Sequence, residues 1–139
     1  MTTDGARALP ADLAGFLESG ISILVGTRDA RLRPSTLRAM GASVERDARV
    51  ITLYMPEATS ARTLANLRDN GQIAATFSLA LDHRTIQIKG TCFEIRRSGA
   101  REREAQERYR ERFIEALQMI GMPRFVTERA TYWPSLAVQ

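Results

Sequence analysis

The chain has 139 residues, enough for one hydrophobic core and too few for two. With 44% hydrophobic and 26% charged residues and no low-complexity tract, its composition is that of a folded globular domain, and its longest apolar stretch, residues 21–25 interrupted by Ser22, is far too short to cross a bilayer. A net charge of +4 permits an anionic partner without choosing between a phosphorylated cofactor and a nucleic acid, and a single cysteine excludes an internal disulfide and a thiolate-rich metal centre.

Residues 1–10 read as a flexible arm ending at Pro10, with no apolar block of the kind a signal peptide needs. A cytoplasmic location is therefore the expectation. Residues 11–19 carry Leu13, Phe16 and Leu17 at helical spacing, and Ser19-Gly20 stops them. Residues 21–27 are rich in β-branched and apolar side chains and read as a buried strand. After a polar turn, residues 33–43 form a second strand, with Pro34 tolerated at its start. Residues 49–55 form a third, with Val50, Thr52 and Tyr54 facing one way and Ile51, Leu53 and Met55 the other.

Residues 59–70 read as a short helix directly after that strand. Thr59 or Ser60 can cap it by accepting a backbone N–H, Leu64 and Leu67 form its apolar stripe, and Asn70-Gly71 supplies a left-handed stop. Free N–H groups, two hydroxyls and Arg62 at one helix start make a place for a phosphate.

Residues 72–79 alternate cleanly, with Ile73, Ala75, Phe77 and Leu79 on one face. Beyond the corner Asp82-His83-Arg84, residues 85–96 form the longest strand, whose apolar side changes near Thr91 and so predicts a bulge there. A long helix occupies residues 99–121, with Tyr109, Phe113, Ala116, Leu117 and Ile120 as its buried stripe. A second helical piece at residues 124–129 and a last strand at 132–138 close the chain. Short polar turns between strands imply antiparallel pairing. The sum is one mainly β domain over residues 1–139, with six antiparallel strands in a small closed or nearly closed barrel and helices as plugs and lids.

The chain has no Gly-rich phosphate loop, no nucleophile elbow and no metal-spaced set of His, Cys and Glu. His83, the only histidine, reads as a solvated turn residue, and Cys92 as a buried, inert thiol. The arginines of residues 101–112 are nearly cancelled by Glu102, Glu104, Glu107 and Glu111, so nucleic-acid binding is not expected. What remains is a polar set on neighbouring elements: Arg38 on the second strand, Thr59, Ser60 and Arg62 at the helix start, and Gln87 with Lys89 on one face of the fifth strand.

Three runs of sequence resemble the pyridoxamine 5′-phosphate oxidase-like proteins, the FMN-binding split barrels. They are Arg33-Pro34-Ser35 with Arg38, then Leu53-Tyr54-Met55-Pro56 leading into residues 59–70, and residues 73–77 followed by 84–90. The resemblance covers roughly residues 15–97 in order. It implies a six-stranded antiparallel split β-barrel that forms a homodimer, with FMN in clefts between the subunits and a small molecule as substrate. It places the phosphate on Ser60 and Arg62 with Thr59 beside them and Arg38 as a second cation. It runs the backbone of Leu53, Tyr54 and Met55 along the ring, and turns Gln87 and Lys89 to the cofactor or the partner subunit. Where the oxidases carry Ser-Arg-Lys this chain has Ser60-Ala61-Arg62, and their glutamine position after the fifth-strand arginine is Thr85 here. The resemblance therefore implies a cofactor class rather than the oxidases' own substrate, and the wider superfamily extends to a deazaflavin coenzyme or haem.

Overall fold

A computed structural model describes residues 8–131 and 135–139. Two four-stranded antiparallel sheets, of strand order β2-β1-β5-β6 and β3-β4-β8-β7, enclose the core. The first contains β1 (Ser22–Arg28), β2 (Pro34–Ala39), β5 (Gln72–Ser78) and β6 (Thr85–Thr91). The second contains β3 (Ala42–Val44), β4 (Ile51–Pro56), β7 (Ile95–Arg97) and β8 (Ser135–Val138). Fully buried Ile23, Val25, Phe77, Met55 and Val138 point between the sheets, with Leu17 of helix α1 (Ala11–Leu17) beside them.

The six expected strands become eight segments because two of them bend from one sheet into the other. Residues 33–43 break at Met40-Gly41, where Gly41 takes φ +135. There the Met40 N–H donates to the Tyr54 carbonyl at 2.6 Å and the Tyr54 N–H to the Gly41 carbonyl at 3.0 Å. Residues 85–96 break at residues 92–94, close to the bulge expected near Thr91. The Cys92 N–H donates to the Gly71 carbonyl at 2.7 Å, and the Phe93 and Glu94 N–H groups turn to the Gln139 carbonyl. Such bends are how strands form corners between packed sheets. Strand β4 also departs from the expected alternation: residues 52–56 are all buried, since both of its faces are covered.

Helix α2 (Ala61–Asn70) ends at Gly71, whose φ of +68 is the left-handed stop expected there. Its start differs from expectation. A single 3-10 turn, Glu57–Thr59, precedes it, and Ser60 holds the cap position without a side-chain cap bond. Inside, the Asn66 amide donates to the Thr27 hydroxyl at 3.0 Å and so ties α2 to β1. Helix α3 (Ala100–Met119) buries Tyr109, Phe113 and Ile114, while Ala116 and Leu117 are half-buried and Ile120 is half exposed. The stripe thus ends a turn earlier than its spacing suggests, because the helix overruns the barrel. Helix α4 (Arg124–Ala130) folds back on α3, with Arg124 bridging Glu111 at 2.8 Å and Glu128 at 2.6 Å. Arg103, Arg110 and Arg112 are engaged by backbone carbonyls, which occupies much of the arginine run. The end of the expected arm is docked, since the Leu9 N–H donates to the Ala48 carbonyl at 2.8 Å. Residues 1–7 and 132–134 of the expected arm and last strand lie outside the described residues.

One carboxylate anchors the start of α3. Glu102 accepts from the Gly99 N–H at 2.6 Å and from the Arg96 guanidinium of β7. The Arg96 contact, with the Gly99 N–H, holds the Glu102 carboxyl below its usual pKa against the opposing effect of burial. A carboxyl lowered in the folded state contributes stability above its unfolded pKa, about 4.3, and loses it as pH falls through the folded value. Glu102→Gln is therefore expected to cost roughly 1–2 kcal/mol at pH 7, with the difference closing in acid. Urea unfolding of both proteins at neutral and acidic pH checks this.

Candidate cofactor site

In the first sheet the strand alternation buries Ile23, Val25 and Thr27 of β1 with Ala75 and Phe77 of β5, so the residues between them face outward. The register lines those outward residues into two rows. Arg38, Leu24, Thr76 and Gln87 stand side by side across β2, β1, β5 and β6. Thr36, Gly26, Ala74 and Lys89 form the neighbouring row. Three strand spacings make this platform roughly 14 Å wide. Its middle carries only small side chains apart from Leu24, which is 51% exposed. A cation stands near each border: the Arg38 guanidinium lies over the Phe113 ring of α3 at 4.5 Å, and Lys89 is exposed on β6. Gln87 donates to the Thr76 hydroxyl at 3.2 Å, which holds its amide against the platform.

Of the nine residues expected at a cofactor, the sheet thus brings Arg38, Gln87 and Lys89 onto one face. Leu53, Tyr54 and Met55 do not join them. All three are buried in β4, and β4 pairs with β3 on one side and β8 on the other, so its ladder groups are occupied. The Tyr54 hydroxyl shares a hydrogen bond with Ser43 at 2.8 Å, and burial pushes its pKa up. At the start of α2, Thr59 and Arg62 are exposed, and no hydrogen bond or ion pair among the described residues engages Arg62. Ser60 is placed differently from its two neighbours. It is fully buried, and its hydroxyl donates back to the Glu57 carbonyl at 3.2 Å, so it is turned away from any phosphate outside.

Thr36, Leu24, Gly26, Ala74, Thr76 and Phe113 were not among the residues expected at the cofactor. The signal for the strand residues was present in the alternation of residues 72–79, where Ala74 and Thr76 fall opposite the apolar face. Phe113 could not be assigned to Arg38 without the docking of α3. His83 sits exposed in its turn at φ +59, as expected of a solvated residue. Cys92 is half-buried rather than buried, and burial raises its thiol pKa. Among the described residues no group of three or more His, Cys, Asp or Glu is placed to hold a metal ion, and no helix is long and apolar enough to cross a membrane.

No protein-family model matches the sequence, and no curated protein matches it at a significant level. Solved structures do match the fold. HupZ of Group A Streptococcus aligns over 94% of this chain and 87% of its own, with 21% identity and a TM-score of 0.54. A candidate pyridoxamine 5′-phosphate oxidase from Lactobacillus delbrueckii aligns over 98% of this chain and 89% of its own, with 12% identity and a TM-score of 0.55. An FMN-binding protein from Syntrophomonas wolfei aligns over 90% of this chain and 76% of its own, with 15% identity and a TM-score of 0.52. At these identities the likeness is one of architecture: the chain has the fold of the pyridoxamine 5′-phosphate oxidase-like and FMN-binding proteins.

Proposed function

We propose that the protein is a divergent member of the pyridoxamine 5′-phosphate oxidase-like family. In this reading a homodimeric six-stranded split barrel binds FMN on the outer face of the first sheet and acts as an oxidoreductase on a small molecule. The observation that carries the reading is the two-row platform, with small residues at its centre and Arg38 and Lys89 toward its borders. Gly26 and Ala74 leave room for a flat ring to lie close to the sheet. Exposed Arg62 and Arg38 are the cations for the phosphate, with the Thr59 hydroxyl as a further donor. Gln87 and Lys89 offer N–H donors to a polar ring edge, and the Lys89 charge favours the more electron-rich form of a bound ring. Bound FMN supplies hydride transfer. Neither row contains a histidine or a carboxylate, so proton exchange falls to solvent. Exposed Leu24, together with Met119 and Phe125 at 70% and 64% exposure, is apolar surface that a second copy can cover.

That same lack of an acid or base in the platform also favours a second reading, a binding protein of this fold that holds a flavin, a deazaflavin or haem without turnover. Reduction of bound flavin by a nicotinamide donor separates the two. The test of the cofactor itself is the visible spectrum of the purified protein titrated with FMN. Wild type is expected to bind it, and Arg62→Ala to lose roughly 1.5–3 kcal/mol, or about ten- to a hundred-fold in affinity. A wild type that leaves FMN free, or an Arg62→Ala protein that binds it equally well, contradicts the reading.

A further inference from the structure

A cavity of about 640 Å³ lies between the two sheets, on the opposite side of the first sheet from the platform. Its size falls within the range of small-molecule sites. The sequence makes it by placing small residues on the inner faces of β5 and β6. Ala75 stands where a larger side chain would reach across, and a Cβ built on Gly90 would meet nothing within 4 Å. One end is closed by buried Leu53, Ala75 and Val138. The other end is open, where Arg49, Lys89 and Phe93 are exposed. Among the described residues, the charged side chains that line it are Arg49 and Lys89, both cations. Water would find few of the polar partners it needs at the closed end.

We propose that this cavity binds a carboxylate with a medium-length aliphatic chain, the chain lying against Leu53, Ala75 and Val138 and the carboxylate meeting Arg49 and Lys89. Burying the chain follows from the apolar depth, and the sign of the head group follows from the mouth. The site is separate from the flavin platform, although Lys89 on the edge strand borders both, and it stands whether or not FMN binds.

Cys92, the only cysteine, lines the cavity and reports on its occupancy. The rate of Cys92 alkylation by iodoacetamide is measured with decanoate, with acetate (the same head without the chain) and with decyltrimethylammonium (the same chain with the opposite charge). Saturating decanoate is expected to slow alkylation by about ten-fold or more, and neither control to do so. Gly90→Leu starts from a position where a Cβ meets nothing within 4 Å, puts an isobutyl group into the cavity and is expected to abolish the protection. Arg49→Glu is expected to weaken it about three- to ten-fold while leaving the barrel intact. Three outcomes overturn the proposal: decanoate that protects no better than acetate, equal protection by decyltrimethylammonium, or an alkylation rate that rises with decanoate. Protection of Cys92 by FMN matching that by decanoate also overturns it, because the cavity would then be part of the flavin site.

Discussion

Gly20→Ala is expected to destabilise the protein by about 2–5 kcal/mol, a large share of the margin of an ordinary domain. Gly20 takes φ +78, a conformation that costs a side-chain-bearing residue about 1–2 kcal/mol. A Cβ there would lie 2.5 Å from Arg112 Cβ and 2.8 Å from both the Arg112 carbonyl carbon and the Phe113 nitrogen. None of these atoms is the free end of a flexible side chain, so α3 must move, at about 1–3 kcal/mol more. Helix α3 docks at this point through the Tyr109 hydroxyl on the Ile21 carbonyl and Arg112 on the Glu18 carbonyl. For a chain of this size the loss corresponds to a melting point lower by roughly 7–17 °C. Gly15→Ala is the control, since a Cβ there meets nothing within 4 Å, and it is expected to be neutral or slightly stabilising. Circular dichroism melts of the two variants check both. Because the Phe113 ring lies under Arg38, the Gly20 variant should also weaken whatever Arg38 binds.

Gly26→Leu separates the platform from the fold. Gly26 lies in mid-strand on β1, and the nearest atom to a Cβ built there is the Ala74 carbonyl oxygen at 3.8 Å. Its φ is not positive, so the barrel accepts a side chain, and the added β-propensity leaves stability unchanged or slightly higher. The new isobutyl group would stand between Thr36 and Ala74, in the centre of the face assigned to the flavin ring. Lifting the ring off the sheet should cost about 3 kcal/mol, on the order of a hundred-fold in FMN affinity. Retained affinity with an unchanged melting point would place the flavin elsewhere. Quenching of FMN fluorescence on titration gives the affinity.

The elements of the barrel were largely legible because its strands carry period-two burial and its turns carry polar residues. Residues 72–79 are the clearest case: Ala75 and Phe77 are buried and their neighbours are not. What could not be read was where a strand changes sheets. Residues 33–43 and 85–96 are each continuous in β-character, and their breaks at Gly41 and Cys92 depend on long-range bonds to Tyr54, Gly71 and Gln139. The grouping of some candidate residues on one face was legible for the same reason. Arg38, Gln87 and Lys89 share a face because period and register place them there. The burial of Ser60 was not legible, because a hydroxyl at a helix start says nothing of whether the preceding turn closes over it, as Glu57–Thr59 does here. The family resemblance runs the backbone of Leu53, Tyr54 and Met55 along the ring, and in the structure β4 is paired on both sides there.

The most direct measurement is sedimentation velocity of the purified protein with FMN, followed at the flavin's visible absorbance and at the protein's own. A boundary carrying both signals at the rate of a dimer, with one flavin per chain, is the result expected of a ring held on the first sheet between two copies. Flavin that remains in the slow, free fraction while the protein sediments colourless contradicts the assignment.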